Sequence, residues 1–235
     1  MSGILYGIGV GPGDPELMTL KAVRLIQENE VVAVPGKTAK ETMAYRIAVQ
    51  AVPELEKKCL LAIDMPMVMD RAKMDLSHEA AADRIEAVLK MGKNVVFLTL
   101  GDPTVYSTYV YIQKKMIERG YRTELVSGIP SFCAAAARTN TPLAAWNEQI
   151  HIIPASHCLQ EGFPASGNYI LMKSGKKIKQ VKEILRESGR EIIMVENCGM
   201  EGEKVCYGAE HIPDDAGYYS LIIAREPDYA GENKE

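Results

Sequence analysis

The chain has 235 residues, 47% of them hydrophobic and 25% charged, which allows one large or two modest domains with a real core and excludes a disordered or fibrous protein. A net charge of -4 without a basic cluster argues against a nucleic-acid partner, because such binding concentrates Lys and Arg against phosphates. Apolar runs such as 95–100 and 221–224 are too short to cross a bilayer, and the first residues lack the basic-then-apolar pattern of a leader, so a cytoplasmic protein acting on a small molecule is expected, with no membrane partner.

Along the first half, five short β-rich runs (4–10, 30–34, 59–65, 94–100 and 122–127) alternate with helix-like stretches at 21–28, 39–49, 78–91 and 110–119. That alternation predicts an α/β fold with a parallel sheet whose strands are joined by helical crossovers. After Gly128 the rhythm changes. Strand candidates at 149–154, 168–173, 191–196, 204–207 and 218–225 lie too close together for a helix in every connection, which predicts a mixed sheet. One long helix, 178–188, stops at Gly189 as a C-terminal glycine cap would stop it. The chain is therefore divided into domains 1–128 and 129–235, with 230–235 read as a polar tail.

Three strand-to-helix junctions stand out. The first is the glycine-rich run 7–16 (GIGVGPGDPE), where Asp14 and Pro15 suit the cap and first position of a helix. Glycines at the end of a parallel strand also permit a ligand to approach the backbone, where open α/β sheets commonly bind one. A dinucleotide fingerprint fails here, since Pro12 or Asp14 stands where a glycine is needed. The second junction, 100–107 (LGDPTVYS), repeats the design with Gly101, Asp102 and Pro103. The third, 126–137 (VSGIPSFCAAAA), places Ser131 before a run of alanines. Five scattered cysteines without a C-x-x-C pair imply reduced thiols, and His78, His151, His157 and His211 show no ligand spacing, so no metal is expected.

On these three segments, in this order and spacing, the chain resembles the tetrapyrrole methylase family. The resemblance implies a two-domain fold. The N-terminal sheet has five parallel strands in the order 3-2-4-1-5, the C-terminal one is a five-stranded mixed sheet with helices, and cofactor and substrate lie in the cleft between them. It implies S-adenosyl-L-methionine as methyl donor, with S-adenosyl-L-homocysteine as product, a tetrapyrrole as substrate and a homodimer as the assembly. Carried over position by position, cofactor contacts fall on Pro12, Leu100, Gly101, Asp102, Val105, Tyr106, Pro130, Ser131, Met172 and Cys198. Met172 reads equally well as a core residue, and Cys198 stands where many relatives have glycine. The segments 127–137, 34–48 and 64–67 are similar to the branch that methylates C20 of precorrin-2 or cobalt-factor II. Methylation of another corrin position or of uroporphyrinogen III, and a non-catalytic nucleotide-binding module, are the alternatives.

In-line methyl transfer to an electron-rich meso carbon needs positioning more than a nucleophile. Asp102, read as an exposed carboxylate, and Tyr106 are the candidates to orient the donor. Lys37, Arg46, Arg138 and Lys173 are the candidates for the carboxylates of the ring.

Overall fold

A computed structural model describes residues 2–66, 70–155 and 160–227, with the backbone alone for residue 176. The sequence readings at Met67, His157, Cys158 and 230–235 lie outside the described residues. The chain divides into two compact units, Met1–Pro130 and Ser131–Glu235, where the sequence reading puts the division at residue 128.

In the first unit, strands β1 (Leu5–Gly9), β2 (Val31–Pro35), β3 (Cys59–Ile63), β4 (Val95–Thr99) and β5 (Thr123–Val126) form a parallel sheet. Their order is 3-2-4-1-5, as the resemblance implies. The inner strand β4 is buried along its whole length, and its run VVFLT reads accordingly as apolar throughout rather than alternating. Helices cover both faces. On one, Ile8, Val32, Val34, Val96 and Leu98 pack with α1 (Leu20–Glu28) and α2 (Met43–Ala51) through Ala22, Leu25, Ile26, Ala44 and Ile47. On the other, Leu5, Ala33, Val95 and Phe97 meet α3 (Arg71–Lys90) and α4 (Tyr109–Glu118) through Ala82, Ile85, Leu89, Tyr109 and Ile112. Each large side chain so enclosed contributes about 1.5–3 kcal/mol.

Helix boundaries depart from the sequence reading in two informative ways. The third helix begins at Arg71, not His78, because the Asp70 carboxylate accepts hydrogen bonds from the Ala72 and Lys73 N–H groups. Its first two turns are solvent-facing, with Leu76 exposed, and so carry no apolar periodicity to read. Asp14 and Pro15 take the cap and first position of a helix as the sequence suggests, but of a separate short one rather than of α1. They cap a single 3-10 turn, Pro15–Leu17, and α1 starts later with the Thr19 hydroxyl accepting from the Ala22 N–H.

The second unit holds helix α5 (Ser131–Arg138), strands β6 (Ile150–Pro154), β7 (Asn168–Met172), β8 (Glu191–Glu196), β9 (Lys204–Tyr207) and β10 (Ser220–Arg225), and helix α6 (Ile178–Glu187). The sheet order is 6-7-10-8-9. The β6–β7 pair is parallel and the other pairs are antiparallel, which makes the sheet mixed. Helix α6 buries Ile178, Val181 and Leu185, one stripe at helical spacing, against Tyr169, Leu171, Met194 and Ile222.

Candidate active site

All five strands of the first sheet run the same way, so the segments that follow β1, β4 and β5 emerge at one edge, side by side. They are tied there by backbone. Gly11 and Gly101 form an antiparallel bridge, with the Gly101 N–H donating to the Gly11 carbonyl at 2.8 Å and the Gly11 N–H returning at 3.3 Å. Both glycines sit in the left-handed region, at φ 78° and 70°, where other residues carry a steric penalty. The Thr19 hydroxyl donates to the Ser127 carbonyl, joining the start of α1 to the third junction.

Glycine at 9 and 128 has a different cause. A Cβ on Gly128 would meet the Gly101 carbonyl oxygen at 2.2 Å and backbone atoms of Gly9 at 2.8 Å, and one on Gly9 would meet the same carbonyl at 2.4 Å. At Gly7 the space of a side chain is filled by the ring of Tyr109, at 2.2 Å from a built Cβ. These glycines let three chain segments touch one another. At Gly7 and Gly9, two residues of the run 7–16, protein occupies the space that a side chain would take.

Asp102 is corrected as well. It is 7% exposed, not the exposed carboxylate expected. One oxygen accepts from the Thr104 N–H at 2.7 Å and from the Thr104 hydroxyl, and the other accepts from the Gly128 N–H at 2.9 Å. The side chain caps a tight turn and fastens the second junction to the third. Nor does it open the next helix: α4 begins at Tyr109, whose N–H is accepted by the Ser107 hydroxyl.

Around this knot, Pro12 is buried, Leu100, Val105 and Pro130 are half-buried, and Tyr106 is 44% exposed with a left-handed φ of 49°. Ser131 is the half-buried first residue of α5. In the second unit, Met172 ends β7 opposite Leu221 of β10, and Val195 of β8 faces the same Leu221 from the other side. The ends of β7 and β8 therefore share one edge, which brings Met172 and Cys198 to the two flanks of the start of β10. Cys198 is half-buried between Asn197 (φ 53°) and Gly199 (φ 71°).

Of the four basic candidates, two belong to the first unit and two to the second. Lys37 is exposed just beyond the end of β2, and Arg46 is exposed on α2. Arg138, the last residue of α5, pairs with Glu203. The same carboxylate accepts from the Gly199 N–H at 2.8 Å. That backbone bond, opposed by burial and reinforced by the guanidinium, holds Glu203 below the usual carboxylate range, so Arg138 braces the 197–203 turn. Lys173 has φ 59°, and desolvation pulls its ammonium below the usual lysine value.

Sequence reasoning missed one residue of the edge. Thr99 ends β4 beside Gly9, is 7% exposed, and its hydroxyl has no hydrogen-bond partner among the described residues. The available signal was a hydroxyl closing an otherwise apolar buried strand.

Residues 4–210 match the sequence profile of the Tetrapyrrole (Corrin/Porphyrin) Methylases. The chain belongs to this family. Among tetrapyrrole methylases, it is 34% identical over 206 residues to a probable cobalt-precorrin-2 C(20)-methyltransferase of Methanocaldococcus jannaschii, spanning 87% of this chain and 86% of the relative. It is 27% identical over 235 residues to the cobalt-precorrin-2 C(20)-methyltransferase of Salmonella typhimurium, spanning 96% and 98%. The fold is shared with a uroporphyrin-III C-methyl transferase from Thermus thermophilus solved with S-adenosyl homocysteine. That likeness has a TM-score of 0.70 at 20% identity, over 95% of this chain and 98% of that one. The glycine knot and the Asp102 tether are thus features of a tetrapyrrole methylase.

Proposed function

We propose that this chain transfers a methyl group from S-adenosylmethionine to C20 of precorrin-2 or its cobalt-containing counterpart, in the assembly of a corrin. The observation that carries the reading is similarity over most of the chain to relatives named for that reaction. The knotted edge of the first sheet supports it with a place for the donor, since ligands of open α/β sheets bind at the carboxyl ends of the strands. The residues fit such a group: the edge carries a buried hydroxyl, that of Thr99, left without a protein partner.

When bound, S-adenosylmethionine supplies an activated methyl on a sulfonium. The contribution of the chain is position, worth up to about 7–11 kcal/mol where two reactants are held aligned. Asp102 acts through the backbone, fixing Gly128 against Gly101 so that the segments following β4 and β5 keep one relative placement. Tyr106 and Val105, on the turn that Asp102 caps, and Leu100, Gly101, Pro12 and Pro130 form the donor-facing surface. Ser131, Met172 and Cys198 supply the remaining contacts. Lys37, Arg46 and Lys173 face the ring carboxylates, with Arg138 contributing through the turn it braces. A cytoplasmic homodimer belongs to the same reading, and light scattering on the purified protein measures the assembly.

Incubation with S-adenosylmethionine and either precorrin-2 or its cobalt form tests the proposal. The expected product gains the mass of one methyl, located by NMR on the meso carbon C20. A methyl at another carbon, or no mass gain from either ring, rejects it.

A further inference from the structure

We infer that the Thr99 hydroxyl is a hydrogen-bonding partner of the bound methyl donor, an inference that rests on the function proposed above. Thr99 is the fifth residue of β4, after Val95, Val96, Phe97 and Leu98, all fully buried. A valine has the same shape and branching and would suit such a strand without a polar atom. The hydroxyl is instead present, buried and unpartnered, an arrangement that costs about 1–3 kcal/mol in the free protein.

Its place in the fold indicates what offsets that penalty. Side chains alternate along a strand, so Thr99 projects to the same side as Val95 and Phe97, the face covered by α3 and α4. It lies opposite Gly9 in the register of β1 and β4, next to the point where Gly9, Gly101 and Gly128 meet. Its own backbone carbonyl accepts from the Val10 N–H, so that carbonyl is already engaged in the sheet. Thr99 is the last residue of β4, and the segment that follows it, from Leu100 to Tyr106, carries the proposed donor contacts. The nearby carboxylate of Asp102 is already engaged by Thr104 and Gly128. A neutral group that both donates and accepts suits an oxygen of the donor, either a ribose hydroxyl or the carboxylate of its amino-acid end.

Calorimetry with S-adenosylhomocysteine on the full chain, native and as Thr99→Val and Thr99→Ser, tests this. Thr99→Val is expected to bind about fivefold to tenfold more weakly, and Thr99→Ser to return to within about twofold of the native affinity. Without ligand, Thr99→Val is expected to melt at the native temperature or up to about 2–4 °C higher, since an orphan hydroxyl has been removed. Adenosine titrated in parallel separates the sources: weakening toward both ligands identifies the ribose, and weakening toward S-adenosylhomocysteine alone identifies the carboxylate. Unchanged affinity in Thr99→Val, or a lowered melting temperature showing that the hydroxyl has an internal partner, overturns the inference and leaves the proposed function standing. Failure of the native protein to bind S-adenosylhomocysteine overturns both.

Discussion

Replacing Asp102 separates an architectural carboxylate from one that touches ligand directly. In Asp102→Ala the Gly128 N–H, buried and donating at 2.9 Å, loses its acceptor, at about 1–3 kcal/mol for an unsatisfied buried donor. The two bonds from Thr104 are lost as well, but Thr104 is exposed and water replaces them. Adding the forfeited advantage of a charged acceptor, the expected loss of stability is about 2–4 kcal/mol. Asp102→Asn keeps one carbonyl oxygen for Gly128, but its amide then faces the Thr104 N–H donor to donor and can give only to the Thr104 hydroxyl, so an intermediate loss of about 1–2 kcal/mol is expected. Urea unfolding with a shared m-value gives both numbers. Affinity for S-adenosylhomocysteine should fall in the same order, Ala more than Asn. If Asp102→Ala unfolds within about 0.5 kcal/mol of the native protein while losing affinity, the carboxylate is contacting ligand rather than holding the backbone, and its role as a tether is refuted.

Further outcomes rest on the same geometry. Gly128→Ala drives a methyl into the Gly101 carbonyl and is expected to cost at least about 3 kcal/mol, whereas Gly120→Ala, at φ 80° with open space around it, should cost only the left-handed penalty of about 1–2 kcal/mol; paired urea titrations compare them. Asp70→Ala removes the cap of α3 and should destabilise by about 1 kcal/mol, with hydrogen exchange rising first in 71–75. The depressed pKa of Glu203 means that its contribution to stability is complete above the ordinary glutamate value of about 4.3 and is lost as pH falls through the lower folded value. Arg138→Met should raise that carboxyl's NMR titration midpoint toward the ordinary value and move the acid limb of stability upward with it.

Most of the architecture was legible because its signals are local. Runs such as VVAV and VVFLT, separated by crossover-length segments, fix the strands, and β8 and β9 match the residues expected from sequence. Strand order is non-local and came from family likeness. The misreadings share one cause. Asp102 and Pro103 look like a helix start because a carboxylate before proline suits any turn with free N–H groups; which turn it caps depends on the backbone groups that the fold brings within its reach. Likewise a run of glycines looks the same whether ligand or another stretch of backbone fills the gap. At Gly9 the neighbours are Gly101 and Gly128, about a hundred residues away in the chain, beyond the reach of any local pattern.

The position of β1 inside its sheet has a consequence for biosynthesis. Residues 5–9 are synthesised well before their hydrogen-bonding neighbours, residues 95–99 and 123–126. Until those residues are made this apolar segment lacks its sheet neighbours, so it is a natural client for chaperones and a seed for aggregation when elongation stalls. Polypeptides cut short before residue 126 should accumulate as insoluble material, while β2 and β3 can already pair with each other.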